Sequence, residues 1–142
     1  MVIGALVVGA TIVGRPMIGP RCTELGTIAD TVDIPGAELP RGTAKLYCVR
    51  DRAGAQVRFV LARGDDGQVH SVFDACGQCY RFHKGYTVAG NYLICGLCGN
   101  RYRLDQMQKG MASCVPVAMR TQVNGGRIEI KVAEIEKGRS LF

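Results

Sequence analysis

Two Cys-x-x-Cys pairs, Cys76-Gly77-Gln78-Cys79 and Cys95-Gly96-Leu97-Cys98, stand fifteen residues apart and hold four of the chain's seven cysteines. A pair at this spacing closes a tight turn and brings two sulfurs together at little cost in loop entropy. Two such turns facing each other supply four soft donors, the set a tetrahedral thiolate centre takes. Disulfide frameworks instead scatter their partners so that the bridges close long loops. A thioredoxin-type dithiol needs a strand-to-helix junction, and no helical pattern follows either pair. The spacing therefore points to a metal or cluster centre on Cys76, Cys79, Cys95 and Cys98. By spacing alone, zinc and an iron–sulfur cluster both remain open. Glycine within and after the pairs frees the backbone to turn and to aim N–H groups at sulfur.

The rest of the 142 residues fits one domain around such a site. Strand-like runs cover Lys45–Val49, Gln56–Ala62, Gln68–Phe73, Asn91–Gly96, Asn100–Leu104, Val115–Val123 and Arg127–Ala133. Turn signals such as Gly64-Asp65-Asp66-Gly67 and Asn124-Gly125-Gly126 separate them. Alternation as in Ile128-Glu129-Ile130-Lys131-Val132 is the half-buried antiparallel pattern. The expected fold is all-β, a small antiparallel sandwich or barrel over 43–135 with the cysteine pairs in its loops. Residues 136–142 read as a C-terminal tail, and 20–42, with three prolines and little periodicity, as a linker or strap.

Residues 1–19 form a hydrophobic arm or anchor, uncharged through residue 14. As a helix those fourteen residues reach about 21 Å, short of a bilayer core, yet so apolar a start suits membrane contact through residues 1–18 or an export segment. The expected location is the extracytoplasmic side of the cell envelope, associated with a membrane. The net charge of +6 is spread without a run of basic residues, so nucleic acid is not an expected partner. No nucleophile–base set, phosphate loop or paired carboxylates appear, so an enzyme is not expected.

The stretch VFDACGQC…GY…NYLICGLCGNRYRLD…CVPV resembles the iron–sulfur domain family of FtrD-like proteins from bacterial iron-transport systems. The matching positions are Asp74, Ala75, Cys76, Cys79, Gly85, Tyr86, Ile94, Cys95, Cys98, Gly99, Cys114 and Pro116. Where the family tends to have Gly-Gly-Cys-Asn-Pro, this chain has Ala112-Ser113-Cys114-Val115-Pro116. The region also resembles a Rieske domain in outline, with cysteine in place of each histidine ligand. The resemblance implies a two-iron or four-iron cluster on four cysteines, in a Rieske-like architecture. It implies an electron-transfer protein working with a redox partner or with subunits of a larger membrane redox or iron-handling assembly. A four-cysteine zinc interaction module with a basic face is the alternative.

Cys114 is an additional candidate ligand, a disulfide partner for Cys48, or a buried thiol, and Cys22 either pairs or stays free. His70 reads as a strand side chain, and His83 as a surface residue or a support beside the ligands rather than a ligand itself. Arg81, Lys84, Arg101 and Arg103 are expected as a cationic collar, and Tyr80, Phe82, Tyr86, Tyr92 and Leu97 as a screen from water.

Overall fold

The computed structural model describes residues 22–27, 29–109 and 114–142. The apolar segment 1–19 lies outside them. Among the described residues no helix is long and apolar enough to cross a membrane.

The run Phe59-Val60-Leu61-Ala62 is apolar at four consecutive positions, which a strand tolerates only when both of its faces are covered. It lies in β4 (Gln56–Arg63), in the middle of a five-stranded sheet. The sheet is ordered β1 (Thr23–Leu25), β3 (Thr43–Arg50), β4, β5 (Val69–Cys76) and β9 (Pro116–Ala118). β1 runs parallel to β3, and every other pairing in the sheet is antiparallel.

Alternate residues of β4 enter two separate cores. Val57, Phe59 and Leu61 meet Val32, Ile34, Ile128 and Ile130 from a second sheet of β2 (Thr31–Pro35), β10 (Gln122–Asn124) and β11 (Arg127–Lys131). Val60 and Ala62 point the other way, toward Tyr86, Leu93 and Tyr102 of a third sheet. That sheet is formed by β6 (Tyr86–Ala89), β7 (Tyr92–Cys95) and β8 (Arg101–Arg103). Three layers result, and the cysteines belong to the second core.

The described part of the expected linker, 22–27 and 29–42, belongs to the folded body. Val32, Ile34 and Leu39 are fully buried, because a short period-two pattern sits between its prolines. The strand expected through Ala133 ends at Lys131, and a short helix α1 (Val132–Glu136) follows. Val132 and Ile135, three apart on α1, keep the apolar side inward after the change of period. The tail packs too, with Leu141 and Phe142 against the first core and the Arg58 guanidinium 5.2 Å from the Phe142 ring. The stretch read as one strand over Val115–Val123 is divided into β9 and β10, which belong to different sheets. Asp51 is buried, accepts the Ala53 and Ala55 N–H groups, and pairs with Arg139. Burial works against its charge, but these partners outweigh it and hold its carboxyl below the usual range.

Candidate metal centre

The site is built where β5 and β7 end. Cys76 is the last residue of β5, and the chain then turns into a 3-10 helix over Cys79–Phe82. The Cys79 N–H donates to the Cys76 sulfur at 2.8 Å, the bond that folds the first knuckle back on itself. Cys95 ends β7, its N–H donates to the Asn100 carbonyl at 2.9 Å, and Gly99 N–H returns to the Cys95 carbonyl at 3.0 Å. Gly96 N–H donates to the Gly85 carbonyl at 2.8 Å and ties the second knuckle to the start of β6.

Asp74 holds the start of β6 from below. Its carboxylate is buried, accepts the Tyr86 N–H at 2.7 Å, and lies 3.4 Å from the Arg58 guanidinium. Gly85 passes directly over this carboxylate at φ +62°, and a Cβ there would fall 2.6 Å from an Asp74 oxygen. Only glycine meets both demands.

A third loop completes the centre. Pro116 lies opposite Cys76 in the β5–β9 pairing, and the Gly77 N–H donates to the Val115 carbonyl at 3.0 Å. That junction places Cys114 among the paired cysteines. The sulfurs of Cys76, Cys79, Cys95 and Cys114 all lie within 4.8 Å of one another. The Cys98 sulfur is outside that set but is 3.0 Å from the Cys114 sulfur. Cys114 is also 3.3 Å from Cys76 and 3.5 Å from Cys79, so it is the hub of five thiols. Cys76, Cys95 and Cys114 are buried, Cys79 is half-buried and Cys98 is exposed.

Crowding sets the proton affinities. Cys79 is pushed up to about 12, first by its hydrogen bond with Cys76 and then by burial. Burial raises Cys114 strongly, and its contact with Cys98 adds to the effect. At Cys98 burial also disfavours charge, but bonds from Cys114 and the Asn100 N–H outweigh it, leaving the thiol below its ordinary value.

Cys22 and Cys48 form a disulfide, so neither belongs to the centre and Cys48 does not pair with Cys114. His83 is exposed, and His70 sits on β5 with its ring 3.1 Å from Asp66. Of the expected screen, Tyr86 is buried against the cysteines and Tyr80 is half-buried, whereas Phe82, Leu97 and Tyr92 face solvent. Arg81, Lys84 and Arg101 are exposed around the knuckles, Arg101 standing 4.6 Å over the Tyr92 ring. Arg103 is engaged by Asp105 through two bonds of 3.0 and 2.9 Å.

Tyr102 is a feature the sequence reading missed. It alternates with Arg101 and Arg103 on β8, and that period was the available signal of an inward side chain. Its ring meets Tyr86 edge-on at 6.1 Å. Both hydroxyls are buried; that of Tyr86 has no hydrogen-bond partner among the described residues, and that of Tyr102 lies against the Cys114 thiol and Asn100. Burial, first, and the neighbouring thiols push both phenols well above their ordinary range.

Residues 39–142 match the family described as membrane iron-sulfur containing protein, FtrD-like. No curated protein matches the chain. Among solved structures, the quaternary ammonium Rieske monooxygenase CntA is 19% identical with a TM-score of 0.47, the alignment covering 70% of this chain and 30% of that one. A complex of reduced oxygenase and oxidized ferredoxin in carbazole 1,9a-dioxygenase is 17% identical with a TM-score of 0.47, covering 72% and 94%.

Proposed function

The chain belongs to the FtrD-like family of iron-sulfur containing proteins, and on that premise we propose that it is an electron-transfer domain whose centre is an iron–sulfur cluster held by cysteine thiolates. The observation that carries this reading is the convergence of five free thiols, from three loops, at one end of the β body. The donor set fits the group: thiolates are the usual ligands of such clusters. The Tyr86 and Tyr102 hydroxyls also fit, because both are buried donors placed beside sulfur.

Cys76, Cys79 and Cys95 would hold the cluster with a fourth thiolate from Cys98 or Cys114, and the cluster supplies one-electron chemistry when bound. The chain's own part is to fix the ligands and tune the charge. Asp74 and Gly85 set the spacing of the two knuckles, and the Cys79 N–H stabilises negative charge at the Cys76 sulfur. Tyr86 and Tyr102 exclude water and offer O–H donors that favour the more negative, reduced state.

The Cys22–Cys48 disulfide supports a location in an oxidising compartment, outside the cytoplasm. There, bound metal would keep the thiols that hold it from oxidation. Service to a membrane redox or iron-handling assembly is the narrower reading that the family resemblance suggests, and the partner would be a redox protein.

One observation favours zinc as a second reading. Sulfurs all within 4.8 Å of one another suit a single metal, since a tetrahedral zinc with bonds of about 2.3 Å has sulfur–sulfur edges of about 3.8 Å. Anaerobic purification decides between the two. The cluster reading expects brown protein whose visible absorption bleaches on reduction, with iron and acid-labile sulfide in comparable amounts. Colourless protein with one zinc per chain would overturn electron transfer.

A further inference from the structure

A four-coordinate centre takes four thiolates, and this one is surrounded by five. The paired motifs name Cys98 as the fourth, and the fold brings up Cys114 as a second candidate for that place. Cys114 is buried and lies within 4.8 Å of Cys76, Cys79 and Cys95 together, whereas Cys98 is exposed and outside that mutually close set. The position of Cys114 is also fixed independently of the thiols. The residue after it accepts a backbone hydrogen bond from the Gly77 N–H inside the first knuckle, and the next stands opposite Cys76 on β9. The knuckle that carries Cys98, by contrast, is solvent-facing from Gly96 to Asn100.

Resting on the metal-binding reading above, we propose that Cys76, Cys79, Cys95 and Cys114 are the ligands and that Cys98 is a fifth, solvent-facing thiol at the mouth of the centre, able to take the place of Cys114. The 3.0 Å between the two sulfurs makes that replacement a small movement of one exposed loop. Cys98 is then the one thiol of the loaded protein open to reagents from solution, and Cys114 the ligand with a stand-in. Charge supports the assignment: a thiolate at a site closed to water depends on metal for its stabilisation, while an exposed one is stabilised by solvent.

The test is thiol mapping of the full chain, purified anaerobically with its metal and treated with N-ethylmaleimide at neutral pH. The expected result is one adduct per chain, located at Cys98 by peptide mass spectrometry, with metal content and absorption unchanged. Cys98→Ser should keep the metal and lose the label. In Cys114→Ser the metal should stay and Cys98 should become protected, the sign that it has moved into the shell. Label on Cys114 with Cys98 protected would overturn the assignment while leaving the metal reading intact, and so would protection of all five. Protein that emerges from anaerobic purification without any metal, with all five thiols labelled, would instead overturn the metal reading on which the assignment rests. Loss of metal from Cys114→Ser with Cys98 still labelled would remove the stand-in role.

Discussion

Asp74 does several jobs with one carboxylate. It accepts the Tyr86 N–H at 2.7 Å, lies 3.4 Å from the half-buried Arg58 guanidinium, and leaves room above it only for Gly85. Removing it strands a buried backbone donor and leaves the half-buried Arg58 guanidinium without its carboxylate. Asp74→Ala should therefore lower the unfolding free energy by about 3–5 kcal/mol, the range for breaking a buried pair. Asp74→Asn keeps an acceptor for Tyr86 and loses only the charge, so its loss should be smaller, about 1–2 kcal/mol. Urea titration of the two variants checks the order. Equal losses under about 0.5 kcal/mol would mean that Asp74 behaves as an ordinary surface residue. The sequence carried this position only through the family resemblance. A lone aspartate between Phe73 and Ala75 looks like the polar beat of a strand, and nothing local says that β6 will donate to it.

At the scale of elements, the strands that alternate over several residues were legible, because the pleat imposes a period of two wherever one face is buried. β11 is such a case, and so is the start of β4 at Val57-Arg58-Phe59. The shorter elements were not. β1 has three residues, too few to display a period, and β2 hides one between prolines. β1 is also a parallel edge strand, paired to β3 at Tyr47, Cys48 and Val49. Three parallel pairings hold little by themselves, and the Cys22–Cys48 bridge secures them. Closing a loop across a separation of 26 residues is worth about 3–4 kcal/mol in the chain-entropy model. Replacing both Cys22 and Cys48 by serine should lower stability by about that amount and leave metal stoichiometry unchanged, since both lie outside the thiol cluster. Thermal melts under non-reducing conditions, with metal analysis of the same samples, provide the check. Metal lost in step with stability would mean that the bridge supports the centre.

For the whole molecule, the centre is visible in the sequence as far as contiguous motifs reach. Each knuckle is a local turn, so its four residues announce it. The arrival of Cys114 depends on β9 pairing with β5, a contact between positions about forty residues apart that no local pattern encodes. The same long-range folding decides which residues around the centre meet solvent. Phe82 and Leu97 are 61% and 44% exposed beside the knuckles, with the exposed Arg81, Lys84 and Arg101 around them. An apolar patch with a basic border suits a partner that presents an apolar contact ringed by carboxylates. The predicted behaviour is electron exchange with an acidic redox protein that is fast at low ionic strength and slows as salt rises. The screening length shrinks from about 10 Å at 0.1 M to about 3 Å at 1 M, so the steering charges lose their reach. Reversing Arg81, Lys84 and Arg101 together to glutamate should slow association about tenfold or more at low salt, within the range that electrostatic steering supplies. The visible absorption should not change, because none of the three touches a thiol. Stopped-flow mixing across a salt series reads both effects. A rate indifferent to salt and to the reversals would assign these charges to a solvated surface, and the apolar patch would then need a partner chosen by shape alone.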